Sequence, residues 1–429
     1  MPNRISPARS AAFDLLVQLR QKPDLHSDAL LRSGRVNALS ALDKNLTTNL
    51  VMGVLRWQLV LQQRIAEALT KQKRPLDEPV QVALELGALQ LLLLDRIPAH
   101  AAIFESVELV RQSASPYATG LVNAVLRKIA IAPRLKESDA LAAHPSWLVN
   151  RWTTAYGDQT AAAICRYDQL PPPTTIRLDA LESEPEGLEL EPSTYVTGAR
   201  RVVAGEVTGS LRIQDEGSQL IAELAGRGND ILDCCAAPGG KTAILRERNP
   251  DALITACDIS PARLKAMQTM LGPDSGIQFR LLDATELPFR QQFDLVLCDA
   301  PCSGTGTMAR NPEIRHRVTK DDFRRQQARQ IRLLRSAMRA LRTGGRLIYS
   351  TCSLEPEENE DVVAEALEQE PGFSLMPWEG QVRTLEKERI LHAGTAERLF
   401  PGNSSDRFLR TFPGCYPGDG FFAACLMRD

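Results

Sequence analysis

The sequence predicts a multidomain chain: an all-helical front, a small α+β unit, and an α/β back with a mainly parallel, Rossmann-like sheet. Three observations predict it. Apolar residues recur at three- and four-residue spacing from about residue 5 to 140, the period of helices with one buried face. The composition then shifts near Pro145, and a stiff Pro171-Pro172-Pro173 spacer precedes short strand-like pieces. From about Leu220, apolar strands alternate with helical segments, a βαβ series that demands parallel strands with helices on both faces. The 429 residues exceed one ordinary domain, and the divisions expected are 1–140, 141–212 and 213–429.

Composition narrows the class. Apolar residues make up 43% and charged residues 24%, a soluble globular mixture that argues against global disorder. Aromatics are only 5%, so the cores must rest on Leu, Val, Ile and Ala. A net charge of -2 excludes nucleic-acid binding by bulk positive charge, but not a local basic face. Met1 to His144 carries a net +5 and the remainder -7, which suggests modules with different partners. The longest apolar run, Ala83 to Leu94, contains Glu85 and Gln90 and falls short of the roughly 20 residues a bilayer needs. The segment MPNRISPARS has no apolar leader. Nine irregularly spaced cysteines point to reduced thiols, hence a cytoplasmic protein with no membrane partner.

The elements follow in order. TTNLVMGVLRWQLVLQQRIAEAL reads as a long amphipathic helix, with Asp43 or Thr47 as a capping residue. PVQVALELGALQLLLL is apolar on most faces and reads as the buried central helix of a bundle. Pro75, Pro79, Pro98 and Pro116 punctuate the helices. SWLVNRWTTAYG and TAAAICRYDQL form a helical pair. TTIRLDA, STYVTGARRVVAG and SLRIQDEG are strand-like. DILDCCA, ALITACDI, IQFRLLDA, FDLVLCDAP and GGRLIYSTCS are the strands of the βαβ series, and RFLRTFP with GFFAACLM reads as a closing antiparallel pair.

Ligands of open α/β sheets bind outside the C-terminal strand ends. The first such turn is DCCAAPGGKT, Asp233 to Thr242, where Pro238, Gly239 and Gly240 permit a tight turn. It is neither a Walker A nor a GxGxxG loop, and two glycines fit an ordinary turn as well. Asp258 ends the next strand where a carboxylate would meet ribose hydroxyls. With Asp233, Asp283 and Asp299 it makes an acidic rim, for which helix capping is the competing reading. Cys302 in DAPCSGTG and Cys352 in STCSLEPEENE follow two strands that should be neighbours, placing both thiols at one edge. A thiolate near helix N-termini and basic groups has a lowered pKa and is a nucleophile. Cys234, Cys235, Cys257 and Cys298 lie within strands or at their ends and read as packing. Cys298 and Cys302 nearly have zinc-site spacing, but no second pair accompanies them, and no metal is expected. The five histidines sit outside strand-end motifs, which weakens a Cys-His hydrolase.

Arg310 to Arg342 holds 11 Lys and Arg against three acids. From Phe323 its arginines, Arg325 through Arg342, cluster opposite Leu334, Ala337, Met338 and Leu341, which also describes a plain solvated helix face. The preceding ARNPEIRHR reads as a basic, non-helical loop beside Cys302 and as the better phosphate contact, through Arg310, Arg315, Arg317 and Lys320.

DCCAAPGGKT, DAPCSGTG and STCSLEPEENE together resemble the signature motifs of the Nop/Sun-type RNA cytosine-C5 methyltransferases. VMGVLRW, LGALQLLLLDRIPAHAAIFESVELVR, GLVNAVLR, HPSWLVNRW and IQDEGSQL are similar to the bacterial RsmB (Fmu/Sun) branch, with its NusB-like helical domain. The resemblance covers nearly the whole chain. It implies a class I fold that uses S-adenosylmethionine to methylate C5 of a cytosine in 16S ribosomal RNA, as a monomer. It implies Cys352 as the nucleophile at C6, Cys302 as the group assisting release, and Asp299 as the contact to the base. Cys235, Ala236, Ala237, Pro238, Gly239, Gly240 and Lys241, with Asp258, Asp283 and Asp299, would hold the cofactor. The same chemistry on transfer RNA, or a non-catalytic RNA-binding factor, are the alternatives.

Overall fold

In the computed structural model, residues 5–22, 25–69, 75–178, 184–207, 211–273, 275–401 and 407–429 are described. Met1–Arg4 of the N-terminal segment, Asp179 and Ala180 of the first strand-like piece, and Ser210 of the third lie outside them. The chain divides into two units. One comprises Met1–Pro171 with Met308–Arg317, the other Pro172–Thr307 with Val318–Asp429.

The first unit is helical, as its apolar period dictates. Helices Pro7–Gln21, Ala41–Ala68, Glu78–Leu93, Ala99–Arg111 and Thr119–Ile129 bury Leu16, Leu50, Leu61, Leu84, Leu89, Val110 and Leu126 in one core. Each such side chain contributes roughly 1.5–3 kcal/mol by leaving water. Helix Glu78–Leu93 is the central one, buried on most faces. Its buried Glu85 forms an ion pair with Arg20 and accepts from the Gln62 and Gln81 amides, each at 2.9 Å, so its charge is partnered. No helix among the described residues is long and apolar enough to cross a membrane. The cap of Ala41–Ala68 is Ser40, whose hydroxyl accepts from the Asp43 N–H; Asp43 and Thr47, the expected caps, lie inside the helix. Helices Ser146–Tyr156 and Asp158–Tyr167, the predicted pair, pack against each other and belong to this same unit.

The second unit begins with a small antiparallel sheet. Its strands are β1 (Thr175–Arg177), β2 (Glu189–Pro192), β3 (Ala199–Ala204) and β4 (Arg212–Ile213), in the order β2-β3-β1-β4. The larger sheet holds β5 (Asp230–Asp233), β6 (Leu253–Asp258), β7 (Ile277–Leu281), β8 (Phe293–Asp299), β9 (Leu341–Thr351), β10 (Phe373–Met376), β11 (Phe408–Thr411) and β12 (Phe421–Arg428). Its order is β10-β12-β9-β8-β5-β6-β7, with β11 also on β12. β5 to β9 are parallel, and β12 returns antiparallel beside β9. Alternate residues serve two cores: Ile231, Ile254, Leu295, Leu297 and Ile348 on one face, Leu232, Val296, Cys298, Leu347 and Tyr349 on the other. β10, only four half-buried residues long, carries too little pattern to be read from sequence and forms by pairing with the end of β12.

The chain runs from β5 outward through β6 and β7, then returns to β8 and β9 on the opposite side of β5. The switch point, where neighbouring connections diverge and a crevice opens, therefore lies between β5 and β8.

Candidate active site

The ends of β5, β8 and β9 supply the centre of the site. β5 ends at Asp233, β8 at Asp299, and Asp299 pairs in register with Ser350 of β9. The turn after β5 leads into helix Gly240–Arg248. Gly239 there has φ 107°, a left-handed backbone, and an added Cβ would meet Met267 and Met270 at 2.8 Å. The Ala237–Pro238 peptide is cis. The Ala236 N–H donates to the Cys257 carbonyl at 2.8 Å, and Arg263 donates to the Ala237 carbonyl, so β6 and the next helix brace the turn.

Lys241 reaches back across the switch point. Its Nζ donates to Asp299 Oδ2 at 2.7 Å and lies 5.8 Å from the Phe421 ring centroid. Ser350 Oγ donates to the other Asp299 oxygen at 2.7 Å. Burial alone would lower the Lys241 pKa, but the charge and hydrogen bond of Asp299, with a further contribution from Cys352, hold it raised. Asp233 lies behind the pair, fully buried, with Oδ2 accepting from Thr242 at 2.7 Å. Burial pushes its carboxyl up to about 7; the Thr242 hydroxyl pulls it down, and the charge of Asp299 pushes it further up.

The two thiols expected at one edge stand 3.3 Å apart, sulfur to sulfur, both half-buried. The Cys302 loop lies against the backbone of Cys352: the Gly306 N–H donates to the Cys352 carbonyl at 2.9 Å. A Cβ at Gly306 would sit 2.8 Å from that carbonyl oxygen and would also strike the Gly420 carbonyl, so only glycine fits. The lowered pKa expected of such thiols does not hold for Cys302. Its hydrogen bond with Cys352, its burial and the nearby Glu358 charge push it well above the usual thiol value. Cys234, Cys257 and Cys298 are buried in the cores and Cys235 is half-buried beside them, the packing role the strand pattern implies.

The expected cofactor residues line the C-terminal ends of β5, β6 and β7. Asp258 is buried, with Oδ1 accepting from the Ser260 N–H at 2.8 Å. Ile259 beside it is 53% exposed, an apolar surface at a strand end that lies outside the polar motifs. Asp283 is exposed, and its Oδ1 accepts from the N–H and hydroxyl of Thr285, so the capping role weighed against it is also present. The tight Gly239 turn, the buried Asp258 and the apolar Ile259 suit a charged, ribose-bearing cofactor with an aromatic ring. Among the described residues, no group of three or more His, Cys, Asp or Glu could hold a metal.

The basic segment divides. Arg315 is 1% exposed and donates to the carbonyls of Arg56 at 3.0 Å, Asp168 at 3.3 Å and Ala143 at 3.4 Å. It is an internal strut of the first unit and presents no charge to solvent. Arg317 is half-buried and donates to the Leu25 and Leu19 carbonyls at 2.7 and 3.3 Å. Ile314–Arg317 is a helical turn rather than open loop, and Arg310 lies with it in the first unit while Cys302 belongs to the second. Lys320 is exposed at the start of helix Lys320–Ala340. Farther along, Arg335 and Arg339 pair with Glu370, and Arg342, in β9, pairs with Asp230 and Asp294. Ser350 and Glu358 were not singled out in the sequence; both lie in STCSLEPEENE, where polar residues crowd a strand end.

Three family descriptions match successive stretches: NusB family at residues 6–131, the RsmF/B-like ferredoxin-like domain at 144–189, and 16S rRNA methyltransferase RsmB/F at 223–427. The probable ribosomal RNA small subunit methyltransferase B of Bacillus subtilis is 30% identical over 98% of both chains. The ribosomal RNA small subunit methyltransferase B of Escherichia coli is 32% identical over 91% of this chain and 92% of its own. The crystal structure of PH0851 shares the fold with a TM-score of 0.77 over 99% of both chains at 23% identity. NSun6 from Pyrococcus horikoshii, solved with SFG, matches 67% of this chain and 99% of its own at a TM-score of 0.54 and 20% identity. With relatives at 30% identity or more aligned over nearly its full length, the chain belongs to the RsmB/F family of 16S rRNA methyltransferases.

Proposed function

We propose that the protein methylates C5 of a cytosine in 16S ribosomal RNA with S-adenosylmethionine, through a transient bond between Cys352 and C6 of the base. The observation that carries this reading is the thiol pair, 3.3 Å apart, beside the Lys241–Asp299 ion pair at the switch point. Cytosine C5 is a poor nucleophile. Addition of the Cys352 sulfur to C6 saturates the C5–C6 bond and makes C5 enamine-like. S-adenosylmethionine, when bound, supplies an electrophilic methyl carbon. Cys235 to Lys241, with Asp258, Asp283 and Asp299, would hold it. Asp299 accepts from the amino group of the base and orients it. The Lys241 ammonium compensates the negative charge that addition drives toward N3. The C5 proton leaves through Cys302 to solvent, and the double bond re-forms as the Cys352 sulfur departs.

The target base must leave its stack to enter such a site, and RNA is read best where it is single-stranded or looped. The exposed Lys320 is a candidate phosphate contact. The helical unit and the small sheet supply further RNA-binding surface, in keeping with the NusB and ferredoxin-like matches.

Cys352→Ala should reduce methylation by at least about 10³-fold and abolish any covalent RNA adduct. Cys302→Ala should instead accumulate an adduct that survives denaturing electrophoresis. Normal product release by Cys302→Ala would sink the two-thiol scheme. Bisulfite sequencing of ribosomal and transfer RNA from a deletion strain identifies the substrate: an unmethylated cytosine confined to transfer RNA would overturn the ribosomal assignment. A melting temperature unmoved by S-adenosylmethionine would favour a non-catalytic RNA-binding factor.

A further inference from the structure

Cys302 and Cys352 lie 50 residues apart, on separate loops. Each is followed by a serine, and both serines converge on one carboxylate, Glu358. Oε1 of Glu358 accepts from the Ser303 N–H at 2.8 Å. Oε2 accepts from the hydroxyls of both Ser303 and Ser353, which lie 3.2 Å from each other. Gln330, from the buried face of helix Lys320–Ala340, donates to Oε1 at 3.3 Å and to the Pro301 carbonyl at 2.9 Å. Glu358 is 0% exposed. A buried carboxylate is costly unless hydrogen-bonded, and this one gathers donors from both thiol loops and a helix.

We propose that Glu358 is a positioning residue that fastens the Cys302 and Cys352 loops together and so holds the two sulfurs 3.3 Å apart at one site. This inference rests on the two-thiol reading above. The fastening follows from the bonds: separating the loops would strip a buried carboxylate of its donors.

The test is Glu358→Gln in the full-length protein, with methylation kinetics on 16S ribosomal RNA. The amide keeps the shape and removes the charge. We expect kcat to fall about 10²-fold, as for small displacements of reacting groups, with KM for RNA and affinity for S-adenosylmethionine within about threefold of wild type. A comparable loss of affinity for RNA or S-adenosylmethionine would reduce Glu358 to a general structural brace and overturn the proposal. An unchanged kcat would overturn the proposal entirely. Should Glu358→Gln fail to fold, the double variant Ser303→Ala, Ser353→Ala keeps the carboxylate and removes both hydroxyl donors; the same kcat loss is expected, and wild-type turnover would refute the fastening. Cys302→Ala with Glu358 intact separates the two readings: no trapped adduct there means that the two-thiol scheme itself has failed, whatever Glu358 does.

Discussion

Asp233 shows how one residue can be read as an acid on a strand end and still surprise in its chemistry. A strand-end aspartate suggests an anionic rim, but burial pushes this carboxyl up to about 7. The sign of its effect on stability follows. The unfolded carboxyl ionises near its ordinary value of 3.8 while the folded one holds its proton to about 7. Its stabilising contribution is complete below the lower value and is lost as pH rises through the upper one. From pH 6 to 8 the wild type should lose roughly 1 kcal/mol through this group. Asp233→Asn, which can still accept from Thr242, should show a melting temperature that gains on wild type over that interval. Parallel pH profiles for the two proteins would show that Asp233 does not titrate there.

At the scale of elements, Met308–Arg317 is the instructive segment. Its arginines read as a phosphate-binding loop because charge is visible in sequence and burial is not. Arg315 spends its donors on three carbonyls of the helical unit. Arg315→Met should therefore destabilise the protein by about 2–4 kcal/mol, the range for carbonyls that lose a buried donor. The slope of log K against log salt for RNA binding should be unchanged. Lys320→Ala should leave the melting temperature alone and reduce that slope by about 0.7–0.9, one phosphate contact. Salt titrations of RNA affinity on the two variants check both expectations, and a slope change with Arg315→Met alone would restore it as an RNA contact. Helix Ala41–Ala68 carries a related lesson. Ser40, Asp43 and Thr47 are all plausible caps, and only the point where the backbone turns helical selects Ser40.

For the whole molecule, the two units should answer acid differently. In the helical unit, burial lowers the pKa of His316 to about 4 and, aided by Arg315, lowers that of His144. A histidine depressed below its ordinary 6.5 contributes stability above that value, which is lost as pH falls toward the folded pKa. In the second unit the Asp233 contribution grows over the same fall. Calorimetry between pH 7.5 and 5 should show the transition of the helical unit moving down relative to that of the second unit. His316→Gln, whose amide can donate to the Leu55 carbonyl as the imidazole does at 2.8 Å, should make that decline shallower. Transitions that move together, or a variant that declines as steeply as wild type, would contradict this assignment. The net charge of -2 conceals this division as it conceals the basic front.

The sequence by itself determined the helical front, the parallel strands from β5 to β9 and the place of Cys302 and Cys352 beyond neighbouring strand ends. Those features rest on periods of two and 3.6 residues and on turn residues, which are local and survive without any knowledge of contacts. Only the tertiary structure decided which charges face water, that β10 joins β12, that Lys241 and Ser350 share Asp299, and that Glu358 gathers both thiol loops. Each of those depends on residues far apart in the chain meeting in space, and a one-dimensional pattern carries a residue's face but not its partner.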